Sequence, residues 1–186
     1  ILFPFYGSTN WLMLSTGFVS SNGDVHYGDG GNFSALSVPV SSPTGASFAP
    51  WGTSLYMATG KNTVSYKWNG VNSAGKTAMT ASGPTWQADY TNPTTGYMPR
   101  AEHAITHAGK VFVANTYENG TAYPNRIRWS HPNNPENWAA LDFIDINDGG
   151  TGITGLAVTS GQLLVFKNKS VFVIFGYDSD TFQVVE

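Results

Sequence analysis

The strongest constraint on the fold of this chain is a repeated unit: a turn ending in glycine, an apolar strand, a polar turn and a second strand. The turns stand at Trp51-Gly52, Ala108-Gly109 and Ser160-Gly161. The apolar strands predicted after them are residues 55–58, 111–114 and 163–166. The polar turns are predicted at residues 60–63, 117–125 and 167–170, and the second strands at residues 64–68, 126–129 and 171–175. The three glycines are 57 and 52 residues apart. This regular spacing predicts a chain built from copies of one small unit.

A fourth, weaker copy precedes these three. Its strands are predicted at residues 10–14 and 24–27, and it begins 42 residues before Gly52. A period of about 40–50 residues is typical of β-propeller blades, which are small four-stranded sheets packed around an axis. The sequence therefore predicts an all-β fold of propeller-like blades made of short antiparallel strands, with units at residues 8–47, 48–99, 100–150 and 151–186. A β-sandwich or barrel is the alternative, because any all-β chain shows hairpins at intervals.

The hydrophobic pattern predicts strands along the chain and gives almost no helix signal. Apolar and polar residues alternate in residues 64–68 and 126–129, which indicates strands with one covered face. Residues 111–114, 163–166 and 171–175 are continuous apolar runs, which fit strands covered on both faces. A single small sheet cannot cover both of its faces, whereas blades stacked on one another do so. Residues 33–47 are predicted to be an outer strand that runs into a Pro/Ser connector between blades, and residues 70–99 are predicted to be a second connector.

Composition excludes several classes of protein. Charged residues make up 11% of the chain, compared with about 25% in ordinary soluble domains, while 14% is aromatic and 21 residues are glycine. The formal net charge of −3 offers no basic field to nucleic acid. The lack of cysteine excludes disulfides and thiolate metal sites, and no apolar run is long enough to predict a membrane segment. Because the chain begins at Ile1 and ends in strand-like sequence, we expect it to be part of a larger protein whose flanking regions are missing.

Residue patterns that could carry chemistry are few. His103 and His107 are four apart in a predicted strand, and this spacing places them roughly 13 Å apart, too far to bind one ion. Residues 145–150 and 177–180 look superficially like calcium loops, but they lack the EF-hand series of oxygen ligands and fit turns. The 12 acidic residues are scattered rather than paired for glycoside hydrolysis. We therefore expect no catalytic residue, no cofactor and no metal site.

Arg126 and Arg128 are the most conspicuous basic residues. They lie two apart on one predicted strand face, and Lys167 and Lys169 lie in a turn. The two arginines are candidate channel or interface residues, which would face DNA in a channel or pair with acidic residues of a neighbouring subunit. The alternative is a solvated strand face.

Residues 105–176 contain the most distinctive sequence pattern of the chain. The pattern comprises a strand that ends in Ser130, the turn Asn-Pro-Glu-Asn-Trp at residues 134–138, a Gly/Asp turn before Ile-Thr-Gly-Leu at residues 153–156, and the strands at residues 163–167 and 170–176. It is similar to that of bacteriophage tail structural proteins, namely the nozzle, hub or tail-tubular β-propeller subunits of the conduit below the portal.

Within this pattern Pro135, Glu136, Trp138 and Gly161 are expected to be structural. Pro135 fixes its φ angle and the asparagine before it favours a turn, so that Trp138 would be placed on a blade face. The residues thus predict a scaffold rather than a reactive site.

The resemblance implies a structural virion protein of a phage tail. It further implies a homo-oligomeric ring, commonly a hexamer, contacts with the portal or adaptor and other tail proteins, and phage DNA passing through the lumen without sequence-specific binding. It supplies no catalytic residues. The main alternative is a carbohydrate-binding β-propeller of a tail fibre or cell-surface protein, and a glycosidase is a further one.

Overall fold

The computed structural model describes residues 2–6, 10–15, 23–29, 31–79, 97–177 and 181–186. Its strands form four antiparallel sheets of four strands each. The first sheet contains β1 (Leu2–Tyr6), β2 (Asn10–Ser15), β3 (Val25–Gly28) and β4 (Phe33–Ala35), and the second contains β5 (Ser47–Trp51), β6 (Ser54–Ala58), β7 (Tyr66–Trp68) and β8 (Lys76–Ala78). The third contains β9 (Arg100–His107), β10 (Lys110–Glu118), β11 (Thr121–Trp129) and β12 (Phe143–Asp145), and the fourth contains β13 (Gly155–Thr159), β14 (Gln162–Phe166), β15 (Val171–Phe175) and β16 (Gln183–Val185). A single 3-10 turn, Ser73–Gly75, precedes β8 in the described part of the chain.

Each sheet is a meander in which every strand pairs with the next one along the chain. The predicted all-β fold with four blade-like sheets is therefore confirmed. A glycine turn precedes the second strand of the second, third and fourth sheets. In these turns Gly52, Gly109 and Gly161 have positive φ angles between 56° and 77°. That backbone conformation is costly for residues with a Cβ atom, which explains why glycine recurs at this point of the repeat.

Consecutive sheets pack face to face, and the continuous apolar runs lie in the strands between two cores. In β10, Val111 and Val113 pack against the second sheet, while Phe112 and Ala114 pack against the fourth. Strand β6 does the same, with Leu55 and Met57 on the side of the first sheet. Neighbouring residues of a strand point to opposite faces, so an apolar run of this kind needs a covering sheet on both sides.

Three apolar cores result from this stacking, and each contains large, fully buried side chains. The core between the first and second sheets includes Phe5, Met13, Leu36 and Trp68; the next includes Tyr56, Met79, Met98 and Trp138; the last includes Phe112, Ile127, Trp129 and Leu163.

The first strands of the sheets lie together at the inner side of the stack. Ser47 of β5 bonds Ala104 of β9 twice, since its Oγ donates to the carbonyl and accepts from the amide, both at 2.9 Å. A cleft of about 340 Å³ is lined by Phe3 of β1, Phe48 of β5, Ile105 of β9 and Leu156 of β13, among others. All four sheets therefore contribute their first strand to one central space, as blades do around an axis.

Three expectations about local structure are wrong. Residues 117–125 were predicted to form a polar turn, but β10 and β11 continue through them and the turn is only Asn119-Gly120, with φ angles of 49° and 83°. The segment at residues 70–99 is not only a connector, because it contributes β8 to the second sheet; its residues 80–96 lie outside the described ranges. The first sheet also begins earlier than residue 8, since β1 pairs with β2 along its whole length.

In the described ranges no helix is long and apolar enough to cross a membrane.

Candidate functional site

The turn at residues 134–138 lies between β11 and β12 of the third sheet and contacts the second sheet. Its backbone is closed by a bond from the His131 amide to the Asn137 carbonyl at 2.7 Å, and the Asn134 side chain accepts from the Glu136 amide at 3.2 Å. Trp138 is fully buried in the core between the two sheets, and its indole Nε1 donates to the Pro135 carbonyl at 3.0 Å. A proline carbonyl and a buried indole thus satisfy each other within one turn, and the ring is fixed against the neighbouring sheet.

Glu136 ties the same turn to β6 and β7 by hydrogen bonds. Its Oε1 accepts from the Tyr56 hydroxyl at 2.8 Å and from Lys67 Nζ at 2.6 Å. Burial, and then the hydrogen bond to Glu136, raise the pKa of Tyr56, so the phenol remains a donor at any ordinary pH. Pro135, Glu136 and Trp138 therefore act as one inter-sheet clamp, which we call the turn clamp.

Arg126 and Arg128 belong to a network of opposite charges on β10, β11 and β12. Arg128 is buried and binds Glu118 with two bonds, from Nε to Oε1 at 2.8 Å and from Nη2 to Oε2 at 2.9 Å. Arg126 binds both oxygens of Asp145 at 2.8 Å and contacts Glu118 at 3.3 Å. Two arginines and two carboxylates have no net charge, so this cluster presents little positive field to a polyanion.

Aromatic rings and backbone carbonyls complete the arginine network. The Arg126 guanidinium lies between the rings of Tyr123 and Phe143, 3.9 and 3.8 Å from their centroids. Arg128 Nη1 donates to the carbonyls of Ala139 and Ala140, at 3.3 and 3.1 Å. Because Ala139 follows Trp138, the buried arginine also fixes the chain that leaves the turn clamp. A channel-facing or interface role for the two arginines stays a prediction.

Glu118 reaches the arginines because of an irregularity in β10. The register of the β10–β11 pair shifts between Ala114 and Thr116, and Asn115 between them has a φ of 57°. In a regular strand Glu118 and Val113, five residues apart, would point to opposite faces. Arg128 is the cross-strand partner of Val113, and yet its side chain binds Glu118. The alternation of side chains between the two faces of β10 is therefore shifted by one residue at Asn115. Bulges of this kind re-aim side chains.

The loop at residues 145–150 is a turn held by charge. The Asp148 carboxylate accepts bonds from Lys167, from Ser170 at 2.7 Å and from the Gly150 amide at 2.9 Å. Together these bonds hold the pKa of Asp148 well below its usual range, and the bond from Lys167 has the largest effect on it. Lys167 Nζ also donates to the Ile146 carbonyl at 2.9 Å, so it is a buried part of the turn rather than a free basic residue. The second candidate calcium loop includes residues 178–180, which lie outside the described ranges.

His103 and His107 both lie on β9. Burial is the main cause that lowers the pKa of each imidazole, and the His107 ring lies 5.9 Å from that of Phe112. Among the described residues, no group of three or more His, Cys, Asp or Glu side chains is close enough to hold a metal ion.

A second cleft, of about 510 Å³, opens at the edge of the first sheet. It is lined by Trp11, Tyr27, Asp29 and Asn32, among others. The rings of Trp11 and Tyr27 are 5.1 Å apart and nearly perpendicular, and the Trp11 indole donates to the Gly70 carbonyl at 2.6 Å. Two aromatic rings therefore lie beside a carboxylate and an amide in this cleft.

Sequence reasoning identified the residues of the turn clamp, but it missed Glu118, Tyr56 and Lys67. The pair Asn119-Gly120 is a strong hairpin signal and could have extended β10 as far as Glu118. The contacts of Tyr56 and Lys67 span 80 and 69 residues, and no local signal announces them.

No protein-family model matches the sequence, and the search of curated proteins found no significant match.

Proposed function

We propose that this chain is a structural protein of a phage tail, and that it forms part of the nozzle or hub conduit below the portal through which DNA is ejected. The observation that supports this proposal best is the position of the turn clamp. Pro135, Glu136 and Trp138 belong to the pattern that resembles phage tail proteins, and they hold the third sheet against the second. They hold blades together, which is the task expected of a scaffold.

The charge distribution is consistent with this role. Glu118 and Asp145 neutralise Arg126 and Arg128, and Asp148 neutralises Lys167. A conduit must let DNA pass without retaining it, and salt-dependent binding to phosphates requires basic side chains that are free to displace counterions. In this proposal copies of the chain form a ring, commonly of six, in contact with the portal or adaptor and with other tail proteins.

Imaging of native phage particles that contain this protein tests the proposal. Antibody labelling of the particles, followed by electron microscopy, is expected to place the protein in the tail below the portal, in a ring with a central pore. Labelling of fibre tips, or protein that does not occur in particles, would contradict the proposal.

A carbohydrate-binding propeller is the second candidate function, and the cleft beside Trp11 and Tyr27 favours it. Sugar rings bind through their apolar faces to aromatic side chains while carboxylates and amides accept or donate to their hydroxyls. Binding of the isolated protein to a glycan array, and loss of that binding in Asp29→Ala, would support this function. Asp29 is exposed, and its described hydrogen bond is to the nearby Gly31 amide. The substitution should therefore leave the sheets intact.

A further inference from the structure

The cleft beside Trp11 and Tyr27, which we call the aromatic cleft, lies between two described sheets. Trp11 and Tyr27 belong to the first sheet and pack against the core that it shares with the second sheet. Val71, which also lines the cleft, follows β7 of the second sheet. The volume of about 510 Å³ is within the roughly 300–1,000 Å³ usual for sites that bind small molecules. These two sheets therefore supply both walls of a site of that size.

The two rings of the aromatic cleft are fixed before any ligand arrives. The Trp11 indole is held by its bond to the Gly70 carbonyl, at 2.6 Å. The fully buried ring of Trp68 packs against both, with its centroid 6.1 Å from that of Trp11 and 5.1 Å from that of Tyr27. Both lining rings are half-buried, so each still meets solvent in the cleft. A ligand that stacks on them loses little of its binding free energy to the ordering of side chains.

The polar side of the cleft offers atoms that are free to bind a ligand. Asp29 Oδ1 accepts the Gly31 amide at 3.1 Å, whereas Oδ2 has no hydrogen-bond donor among the described residues. The side chains of Asn32 and Ser34 are exposed, and no described residue bonds to them. The cleft therefore presents one carboxylate oxygen, one amide and one hydroxyl beside two aromatic rings.

The charge of this lining favours a cationic ligand. Asp29 is the one charged side chain among the described residues that line the cleft. Lys76 of β8 donates to the Leu36 carbonyl at 2.7 Å and does not line the cleft. The faces of aromatic rings attract cations as well. An ammonium group in the cleft would thus form a charge-assisted hydrogen bond with the carboxylate and a cation–π contact, whereas an acidic group would be repelled.

We propose that the aromatic cleft binds an amino sugar whose nitrogen is a free ammonium group, in preference to neutral, N-acetylated or acidic sugars. The apolar face of the sugar lies against the rings, and the ammonium group donates to Asp29 Oδ2. The sugar hydroxyls bond to Asn32 and Ser34. This inference rests on carbohydrate binding, the second candidate function above, and does not depend on where the protein stands in a tail.

The expected preference is moderate because the cleft is open to water. One exposed ion pair and one exposed cation–π contact each add a small increment, and together they should make glucosamine bind about 10-fold more tightly than glucose. N-acetylglucosamine has lost the positive charge, so it is expected to bind no more tightly than glucose. Glucuronate carries a carboxylate and should bind more weakly than glucose.

Titrations followed by protein-observed NMR test the preference. The protein is titrated with each of these sugars at about pH 6, where an alkyl amine is protonated. The indole N–H of Trp11 and the backbone amide of Gly31 report on the cleft directly, and their saturable shifts give the dissociation constants. Ethanolamine is the control for the ammonium group alone and is expected to bind much more weakly than glucosamine.

Asp29→Asn separates the charge of this side chain from its shape. Asparagine keeps an oxygen that accepts from a sugar hydroxyl, so glucose should still bind, and glucosamine should bind within about 2-fold of glucose. Asp145→Asn is the matched control, because it makes the same change on β12 of the third sheet. It should keep the preference of wild type. The NMR spectra themselves verify that both variants are folded.

The outcomes distinguish this inference from the function on which it rests. Equal binding of glucosamine and glucose to wild type would overturn the preference and leave carbohydrate binding intact. The absence of saturable shifts with every sugar, up to about 100 mM, would overturn both. A preference that persists in Asp29→Asn, or is lost in Asp145→Asn, would place the recognition of the ammonium group elsewhere. Ethanolamine that binds as tightly as glucosamine would show that the sugar ring is not recognised, and would overturn the proposal.

Discussion

Replacement of Glu118 by glutamine tests whether the arginine network is a buried structural element. The carboxylate accepts two bonds from Arg128 and one each from Arg126 and Thr116. Glutamine has nearly the same shape but no charge, so the Arg128 guanidinium, whose side chain is 4% exposed, loses its counter-charge. Removing one partner of a buried ion pair costs about 3–5 kcal/mol. We expect the lower end, about 3 kcal/mol, because one amide oxygen still accepts a bond and Arg126 keeps Asp145.

Urea denaturation followed by tryptophan fluorescence measures this loss, and the six tryptophans of the chain give the signal. A loss of 3 kcal/mol corresponds to a midpoint lower by about 1–2 M urea, if the slope is roughly 2 kcal/mol/M. The same loss would lower the melting temperature by about 6–12 °C in a chain of this length.

Asp145→Asn is the matched control at the other end of the network. The Asp145 side chain is 33% exposed and its ion pair with Arg126 is screened by water, so the expected loss is about 1 kcal/mol or less. The double variant Glu118→Leu, Arg128→Met removes both charges and should be more stable than Glu118→Gln. If Glu118→Gln loses less than about 1 kcal/mol, or no more than Asp145→Asn, the network is solvated and the reasoning fails.

Three further substitutions test the clamp and two of the turns. Trp138→Ala removes a fully buried indole and is expected to cost about 3–5 kcal/mol in a denaturant melt; a loss below about 1 kcal/mol would show that the ring is not packed between the sheets. Gly120→Ala places a Cβ atom at a φ of 83° with no atom near it, so the expected loss of about 1–2 kcal/mol is purely conformational, and Asn at this position should cost less than Ala. Asp148 has a depressed pKa in the folded protein, so its contribution to stability is present above the unfolded pKa of about 3.9 and falls as the pH is lowered toward the folded pKa; in urea melts from pH 7 to pH 3 the difference in stability between Asp148→Asn and wild type should be largest at neutral pH and smaller at pH 3.

The sheets could be predicted from the sequence because their signals are local. The glycine turn fixes where the second strand of a sheet begins, and the apolar run after it shows that both faces are covered. Strand β15 was predicted with its observed bounds, Val171–Phe175. Strand β8 was missed because it has only three residues, Lys-Thr-Ala, of which two are exposed. It is an edge strand that pairs only with β7.

The candidate site could be predicted only in part, because its contacts depend on backbone irregularity and on distant segments. Trp138 was found from its turn, and Arg126 and Arg128 from their alternation. Glu118 was assigned to a turn, and the change of face at Asn115 that brings it to the arginines leaves no mark in the hydrophobic pattern. When Glu118 is not recognised as their partner, the two arginines look like free basic residues on a strand face. Their ion pairs with Glu118 make them part of a neutral, largely buried network.

The meander order of every sheet has a consequence for folding. Each strand pairs with its neighbour in sequence and each sheet packs on the next, so no pairing has to wait for the two ends of the chain to meet. The entropy lost in closing loops is therefore spread over many short steps, and folding can start in any sheet and spread to its neighbours. Amide hydrogen exchange should accordingly be slowest in β10, which has paired strands and packed sheets on every side, and should quicken in steps toward both ends of the stack.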